Sequence, residues 1–273
     1  MQGGRQAATV AMVGLLLVVS AACAADTDSG DATDGPAAGP TSAAVASTPT
    51  TTSTTKAPTT TTTKPPPTTT TVPPPPSYRS GDSGPEVLAV QQQLAALGYR
   101  PGAVDGNYGA STASAVMAFQ KREGIGRDGI TGQGTLARLQ APTGAGPTRG
   151  GAGPWVEVDR ARQLVFVADA AGTVTTLNTS TGNNQPFNYP SGGSSVAVTP
   201  DGDFAVYRTV NATEKAPLGT LYRPMYFNGG IALHGSPSVP AYPASHGCIR
   251  LSNADADWLW TVAGMGTPVL VHG

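Results

Sequence analysis

Ile231-Ala232-Leu233-His234-Gly235-Ser236 is followed, after a Pro/Ser loop, by Ser245-His246-Gly247-Cys248-Ile249-Arg250-Leu251. Residues 231–234 form a short apolar run of strand character, and the same character recurs around them. Val156–Val158, Gln163–Ala168, Thr173–Leu177, Val196–Val198, Phe204–Arg208 and Leu221–Phe227 are brief, rich in β-branched or aromatic residues, and separated by Gly, Asp, Asn or Pro. This pattern predicts a β-sandwich or barrel. One late helix is expected over 254–263, with Ser252 or Asn253 as N-cap and Trp258, Leu259 and Val262 facing the sheet, before a last strand at Pro268–Val271.

The chemistry of the quoted segments follows from their residue types. A cysteine becomes a useful nucleophile when a nearby imidazole takes its proton or stabilises the thiolate, and acyl transfer also needs donors for the oxyanion. Two of the three histidines, His234 and His246, fall near Cys248, and Gly247 permits close approach of backbone to a substrate carbonyl. The N–H groups of Gly247 and Cys248 are the candidate oxyanion donors. On these residues alone an inert buried thiol with two structural histidines is an equal reading. Two His and one Cys without a supporting carboxylate or second thiol make a poor metal site, and no cofactor is implied.

Upstream, the periodicity is helical. Gly81-Asp82-Ser83-Gly84-Pro85 supplies a turn and a helix start, after which Val87, Val90, Leu94 and Leu97 recur on one face up to Gly98. Further helices are expected over 111–122, with Ala113, Val116, Met117 and Phe119 inward, and over 133–139, with Leu136 inward. Asp105-Gly106-Asn107-Tyr108-Gly109 is echoed by Asp128-Gly129-Ile130-Thr131-Gly132, each ahead of a helix. A Gly/Pro/Thr connector, 141–154, separates this three-helix module (78–140) from the β-rich one (155–273).

The first 77 residues read differently. Arg5 precedes the apolar run 11–19, which ends in small residues before Cys23 and is too short for a permanent membrane span, so residues 1–23 read as an export signal. Ser20-Ala21-Ala22-Cys23 resembles a lipobox, making Cys23 a candidate for lipidation and membrane anchoring; ordinary cleavage near the same point is the alternative. Residues 24–77 are Thr, Pro, Ala and Ser with hardly any large apolar side chain, which predicts an unfolded, extended linker. With 16 Lys and Arg against 17 Asp and Glu, the chain lacks the basic excess of a nucleic-acid binder.

His-Gly followed by Ser-His-Gly-Cys-Ile-Arg resembles the signature of the L,D-transpeptidase catalytic domain of the YkuD type. Val156-Glu157-Val158-Asp159 with Gln163–Val167, Thr179-Ser180-Thr181-Gly182, Thr199-Pro200-Asp201-Gly202-Asp203-Phe204, and Met225-Tyr226-Phe227 leading to His234-Gly235 are similar to further parts of that domain. Gly81–Leu139 resembles the peptidoglycan-binding type 1 module through Val90-Gln91-Gln92-Gln93-Leu94, Leu97-Gly98-Tyr99, Asp105–Gly109 and Ala118-Phe119-Gln120. Tyr99, Tyr108 and Arg100 are its candidate ligand contacts, as exposed aromatic and cationic groups.

The resemblance implies that Cys248 is the acyl-accepting nucleophile and His234 the base and later acid, its ring oriented by the Gly235 carbonyl. His246 would shape the oxyanion side, although the two histidine roles are exchangeable at this stage. Tyr226, Ser245 and Arg250 are the substrate-side candidates, Ser245 by fixing the loop and Arg250 by holding a carboxylate or, alternatively, by making a structural ion pair. The implied partners are peptidoglycan stem peptides and glycan. The implied reaction is formation of 3-3 cross-links through a cysteine thioester, with L,D-carboxypeptidase action at the same site or non-catalytic wall binding as alternatives.

Overall fold

The computed structural model describes residues 76–273, so the expected export signal, Cys23 and nearly all of the Thr/Pro-rich linker lie outside the described residues. Three helices come first: α1 (Pro85–Ala96), α2 (Ala110–Glu123) and α3 (Gln133–Gln140). Pro85 starts α1 where a missing N–H costs nothing, and Gly124 ends α2 in the left-handed conformation at φ 66°. The echoed Asp-Gly turns have one physical cause. The buried Gln91 accepts from the N–H groups of Asp105 and Gly106 (3.1 and 2.8 Å) and donates to Asn107 O and Thr112 Oγ1 (2.9 and 3.1 Å). Gln120 does the same for Asp128 and Gly129 (3.0 and 2.8 Å), and for Ile130 O and Thr135 Oγ1 (3.0 and 3.1 Å).

The β-rich part contains two main sheets. In the first, β1 (Trp155–Asp159), β2 (Leu164–Ala168), β3 (Val174–Asn178), β6 (Gly202–Ala205) and β12 (Pro268–His272) are ordered β3-β2-β1-β12-β6. In the second, β7 (Arg208–Thr209), β9 (Gly219–Asn228), β10 (Ile231–Gly235) and β11 (Ile249–Leu251) are ordered β11-β10-β9-β7, with β8 (Thr213–Ala216) also paired to β9. A small hairpin, β4 (Pro186–Asn188) with β5 (Ser194–Val196), stands apart. The expected mainly-β architecture after a helical module is therefore what forms. The late helix, α4 (Asn253–Val262), is capped by Ser252, whose Oγ accepts from Asp255 N at 3.0 Å. It packs Leu259 into the core between the sheets, beside Val156, Val165, Met225, Leu233 and Ile249.

Alternation along β1 and β2 explains how the helical module is placed. Val156, Val158, Val165 and Val167 face the second sheet, whereas Trp155, Leu164, Phe166 and Ala168 share a core with Val87, Leu94, Tyr99 and Phe119 of the helices. Both faces of this sheet are covered, and every residue of β1 and β2 is buried. Tyr99 and Tyr108 are thus core residues, 4% and 2% exposed, which corrects the expectation of exposed ligand-stacking rings. Tyr108 donates to Gly129 O (2.8 Å) and Tyr99 sits edge-on to Phe119, so each finds its polar or aromatic partner inside. Arg100 pairs with Asp255 (3.3 Å) and lies over the Trp258 ring, which ties the module to α4 and occupies the cation expected for ligand. The connector is also held down: buried Glu123 accepts from the N–H groups of Thr143 and Gly144, and Glu157 from those of Thr148 and Arg149.

Candidate active site

Parallel pairing of β10 with β11 sets Leu233 opposite Ile249, His234 opposite Arg250 and Gly235 opposite Leu251. Leu233, Ile249 and Leu251 point into the core between the sheets, so alternation sends Ala232, His234, Cys248 and Arg250 to the other face. The chemistry-bearing residues share that face because their apolar neighbours claim the first. Cys248 Sγ lies against the backbone there, accepting from Ala232 N at 3.4 Å and contacting Gly230 O at 3.8 Å. His234 follows Ala232 by two residues on the same side, about 7 Å of strand.

His234 is fully buried, and its Nδ1 is 2.8 Å from its neighbour's carbonyl, Gly235 O. A carbonyl only accepts, so Nδ1 carries the proton and Nε2 presents a lone pair. Nε2 makes no hydrogen bond. Burial, with the charge of Arg250 adding to it against the opposing Gly235 bond, pulls the His234 pKa down to about 4 and keeps the ring neutral. Gly235 has no room for a side chain, since a Cβ would stand 2.6 Å from Asn253 Oδ1 and 2.7 Å from Tyr222 Cδ1.

The loop carrying the cysteine is fastened from within. Ser245 Oγ donates to Cys248 O (2.6 Å) and accepts from Gly247 N (3.1 Å), closing a tight turn. Gly247 adopts φ 134°, and a Cβ there would lie 2.8 Å from Val198 O. Because the Gly247 N–H is spent on Ser245, it differs from the open oxyanion donor expected from the sequence. Thr199, to which sequence reading gave no role, accepts from Gly182 N (2.9 Å) and donates to Gly247 O (2.6 Å). His246 packs edge-on against Phe187 of the β4–β5 hairpin, with ring centroids 4.7 Å apart.

Tyr226 reaches the same face as Cys248 but is engaged within the protein. Its hydroxyl donates to Glu214 Oε2 at 2.9 Å, and the Arg208 guanidinium lies 4.6 Å above its ring. Burial and the Glu214 bond push the phenol up to about 12, so it remains a donor. Tyr226 is thereby held in place by internal partners. Arg250 is 2% exposed, and its backbone pairs with Ser180, while its carbonyl also accepts from Thr179 Oγ1 at 2.7 Å.

Ser236 and Ser252 continue β10 and β11 beyond His234 and Arg250. They reach a cavity of about 250 Å³ whose other wall is Ala113, Ser114 and Met117 of α2. Met117, expected inward, thus faces this space, while Ala113 lines it and also packs against the helical core.

Comparison with known proteins agrees with this geometry. Residues 153–271 match the YkuD family model, the L,D-transpeptidase catalytic domain, and residues 83–139 match a peptidoglycan binding domain. The chain is 44% identical to an L,D-transpeptidase (residues 123–326) of Xylanimonas cellulosilytica, with a TM-score of 0.69 over 74% of this chain and 100% of that one. Local similarity extends to the N-acetylmuramoyl-L-alanine amidase CwlM of Mycobacterium tuberculosis, 41% identical over 56 residues, covering 20% of this chain and 14% of that protein. A Bacillus licheniformis protein described as a probable N-acetylmuramoyl-L-alanine amidase is 44% identical over 62 residues, covering 20% of this chain and 18% of its own length. The chain therefore spans less than a fifth of either curated relative. With 44% identity to a solved member, all of whose residues 123–326 are matched, this chain belongs to the L,D-transpeptidase family.

Proposed function

We propose that the protein is an exported enzyme that forms 3-3 cross-links between peptidoglycan stem tetrapeptides through a thioester on Cys248. The observation that carries this reading is the neutral, Nδ1-protonated His234, whose unpartnered Nε2 sits on the face occupied by Cys248. As Sγ turns from its backbone contacts toward Nε2, the imidazole takes the thiol proton. The positive charge of Arg250 favours the thiolate. Sulfur attacks the carbonyl of the amide between the position-three diamino acid and the terminal D-Ala. His234 returns the proton to the leaving amine, D-Ala departs, and an acyl thioester remains. The side-chain amine of a second stem then displaces the sulfur, restoring the thiol. Cys248 N–H remains the candidate oxyanion donor once Gly247 N–H is assigned to Ser245, and His246, edged by Phe187, flanks that side.

A wall-directed activity agrees with the export-signal reading of residues 1–23 and with lipidation at Cys23 as an anchor. The test is incubation of residues 76–273 with a disaccharide tetrapeptide, wild type against Cys248→Ala, followed by mass spectrometry. Release of D-Ala with dimers in the wild type only is expected. D-Ala release without dimers would make the protein an L,D-carboxypeptidase, and binding without turnover would make it a non-catalytic wall binder.

A further inference from the structure

Lys121 in the last turn of α2 is 1% exposed, a burial that lysine rarely shows unless fully paired. Its ammonium donates to Gln163 O (3.1 Å), Asn178 Oδ1 (2.6 Å) and Thr179 O (2.7 Å). All three acceptors belong to the β-rich domain and none to the helical module.

Two of the acceptor residues, Asn178 and Gln163, lead on to the loop between His234 and Ser245, and the third, Thr179, leads to β11. Asn178 Nδ2 donates to Val239 O at 3.2 Å. Gln163 clasps Thr181 with both ends of its amide, accepting from Thr181 N (2.8 Å) and donating to Thr181 Oγ1 (2.7 Å). Thr181 O in turn accepts from Ala244 N and Ser245 N, both at 3.0 Å. Between these ties, Ser180 Oγ donates to Tyr242 O (2.7 Å), and Thr179 Oγ1 donates to Arg250 O (2.7 Å). Residues 178–181 therefore form a bracket that grips the loop at Val239, Tyr242 and Ala244–Ser245. The bracket also grips β11 just beyond the cysteine, and Lys121 holds it from behind.

We propose that Lys121 is a positioning residue for the thioester chemistry: the helical module contributes to turnover by anchoring, through Lys121 and Asn178, the bracket that sets the Ser245–Cys248 turn opposite His234. This rests on the reading of Cys248 as nucleophile. The physical logic is that three acceptors converging on one point repel each other unless a group that gives a proton to each sits between them; burial pulls the Lys121 pKa down to about 7, and the three acceptors oppose that loss by engaging all three protons of the ammonium. Methionine at 121 fills the same space without supplying a proton, so the bracket relaxes and the loop loses its fixed register. Misplacing a nucleophile by an ångström is enough to cost on the order of 10²-fold in rate.

The experiment compares wild type, Lys121→Met, Asn178→Ala and the double variant, all at a temperature well below their melting points and with near-UV circular dichroism to establish folding. Readouts are kcat and KM for D-Ala release and the rate of Cys248 alkylation by iodoacetamide. A loss of about tenfold or more in kcat is expected in each single variant, with KM changed less than threefold. The double variant should fall little below the worse single one, because both residues act through one bracket. Lys121→Met and Asn178→Ala proteins that melt earlier but keep wild-type kcat and alkylation rate would overturn the proposal, since a purely structural lysine predicts that outcome. If Lys121→Met does not fold, Asn178→Ala decides alone, and an unchanged kcat overturns it. A wild type without Cys248-dependent turnover would instead sink the functional reading, and the alkylation rates would then still decide whether Lys121 positions the thiol.

Discussion

His234 and Gly235, adjacent in the chain, are joined by a hydrogen bond in which the ring Nδ1–H meets the Gly235 carbonyl oxygen at 2.8 Å. Tautomer and ring plane are thus fixed by the strand itself, without a carboxylate partner. His234→Ala is expected to lower kcat for D-Ala release by about 10²–10⁴-fold, the usual worth of a positioned base, measured at saturating substrate.

The same histidine makes stability depend on acid. Its folded pKa of about 4 lies below its unfolded value of 6.5, so the unfolded chain binds more protons between these limits. Its contribution to stability is complete above pH 6.5 and is lost as pH falls to about 4. Urea unfolding of wild type and His234→Gln across that window should show a steeper acid decline in the wild type.

Gly247→Ala forces a side chain into φ 134° and against Val198 O. A stability loss of about 1–3 kcal/mol is expected, with slower iodoacetamide labelling of Cys248 because the turn closed by Ser245 must open. Chemical denaturation and labelling on the same sample check both.

Gln91 and Gln120 should be equivalent in cost. Replacing either by Met leaves the buried Gly N–H and the partly buried Asp N–H of an Asp-Gly turn without their acceptor, about 1–3 kcal/mol for the buried group. Unequal losses, after allowing for the extra exposure of one turn, would mean that the repeat is geometric only.

Acylation by a carbapenem gives a mass test of the thiol that does not depend on peptidoglycan. Intact-mass spectrometry should show one adduct on wild type and none on Cys248→Ala; an unmodified wild type would count against an activated, accessible sulfur.

Phe119→Ala empties the core shared by α2 and β2 and should cost about 3–5 kcal/mol. Calorimetry should show a single transition moving down as a whole, not an early helical transition followed by an unchanged β-domain one.

Much of this architecture was legible because periodicity reports burial. The helical face of Val87, Val90 and Leu94, the strands around His234 and the helix capped by Ser252 all came through. Thr213-Glu214-Lys215-Ala216 did not, because a charged, half-exposed strand beside β9 looks like loop. The run Leu164-Val165-Phe166-Val167-Ala168 carried a further message. An unbroken apolar strand is what a sheet covered on both sides requires, yet the second cover became visible only with Tyr99 and Phe119 seated against it. Lys121 gave no signal at all, since a lysine near a helix end is ordinarily a solvated charge complementing the dipole. His234 and Cys248 were found by residue type, but the internal engagement of Tyr226 and Gly247 depends on partners distant in sequence or on rotamer, which spacing does not encode.

The doubly covered sheet also bears on ancestry. A lineage that exchanged these three helices for another wall-binding module would leave Leu164, Phe166 and Ala168 facing water unless those positions changed in step. Exchange of the helices at the 141–154 junction would therefore carry a cost in apolar surface left open on the catalytic sheet.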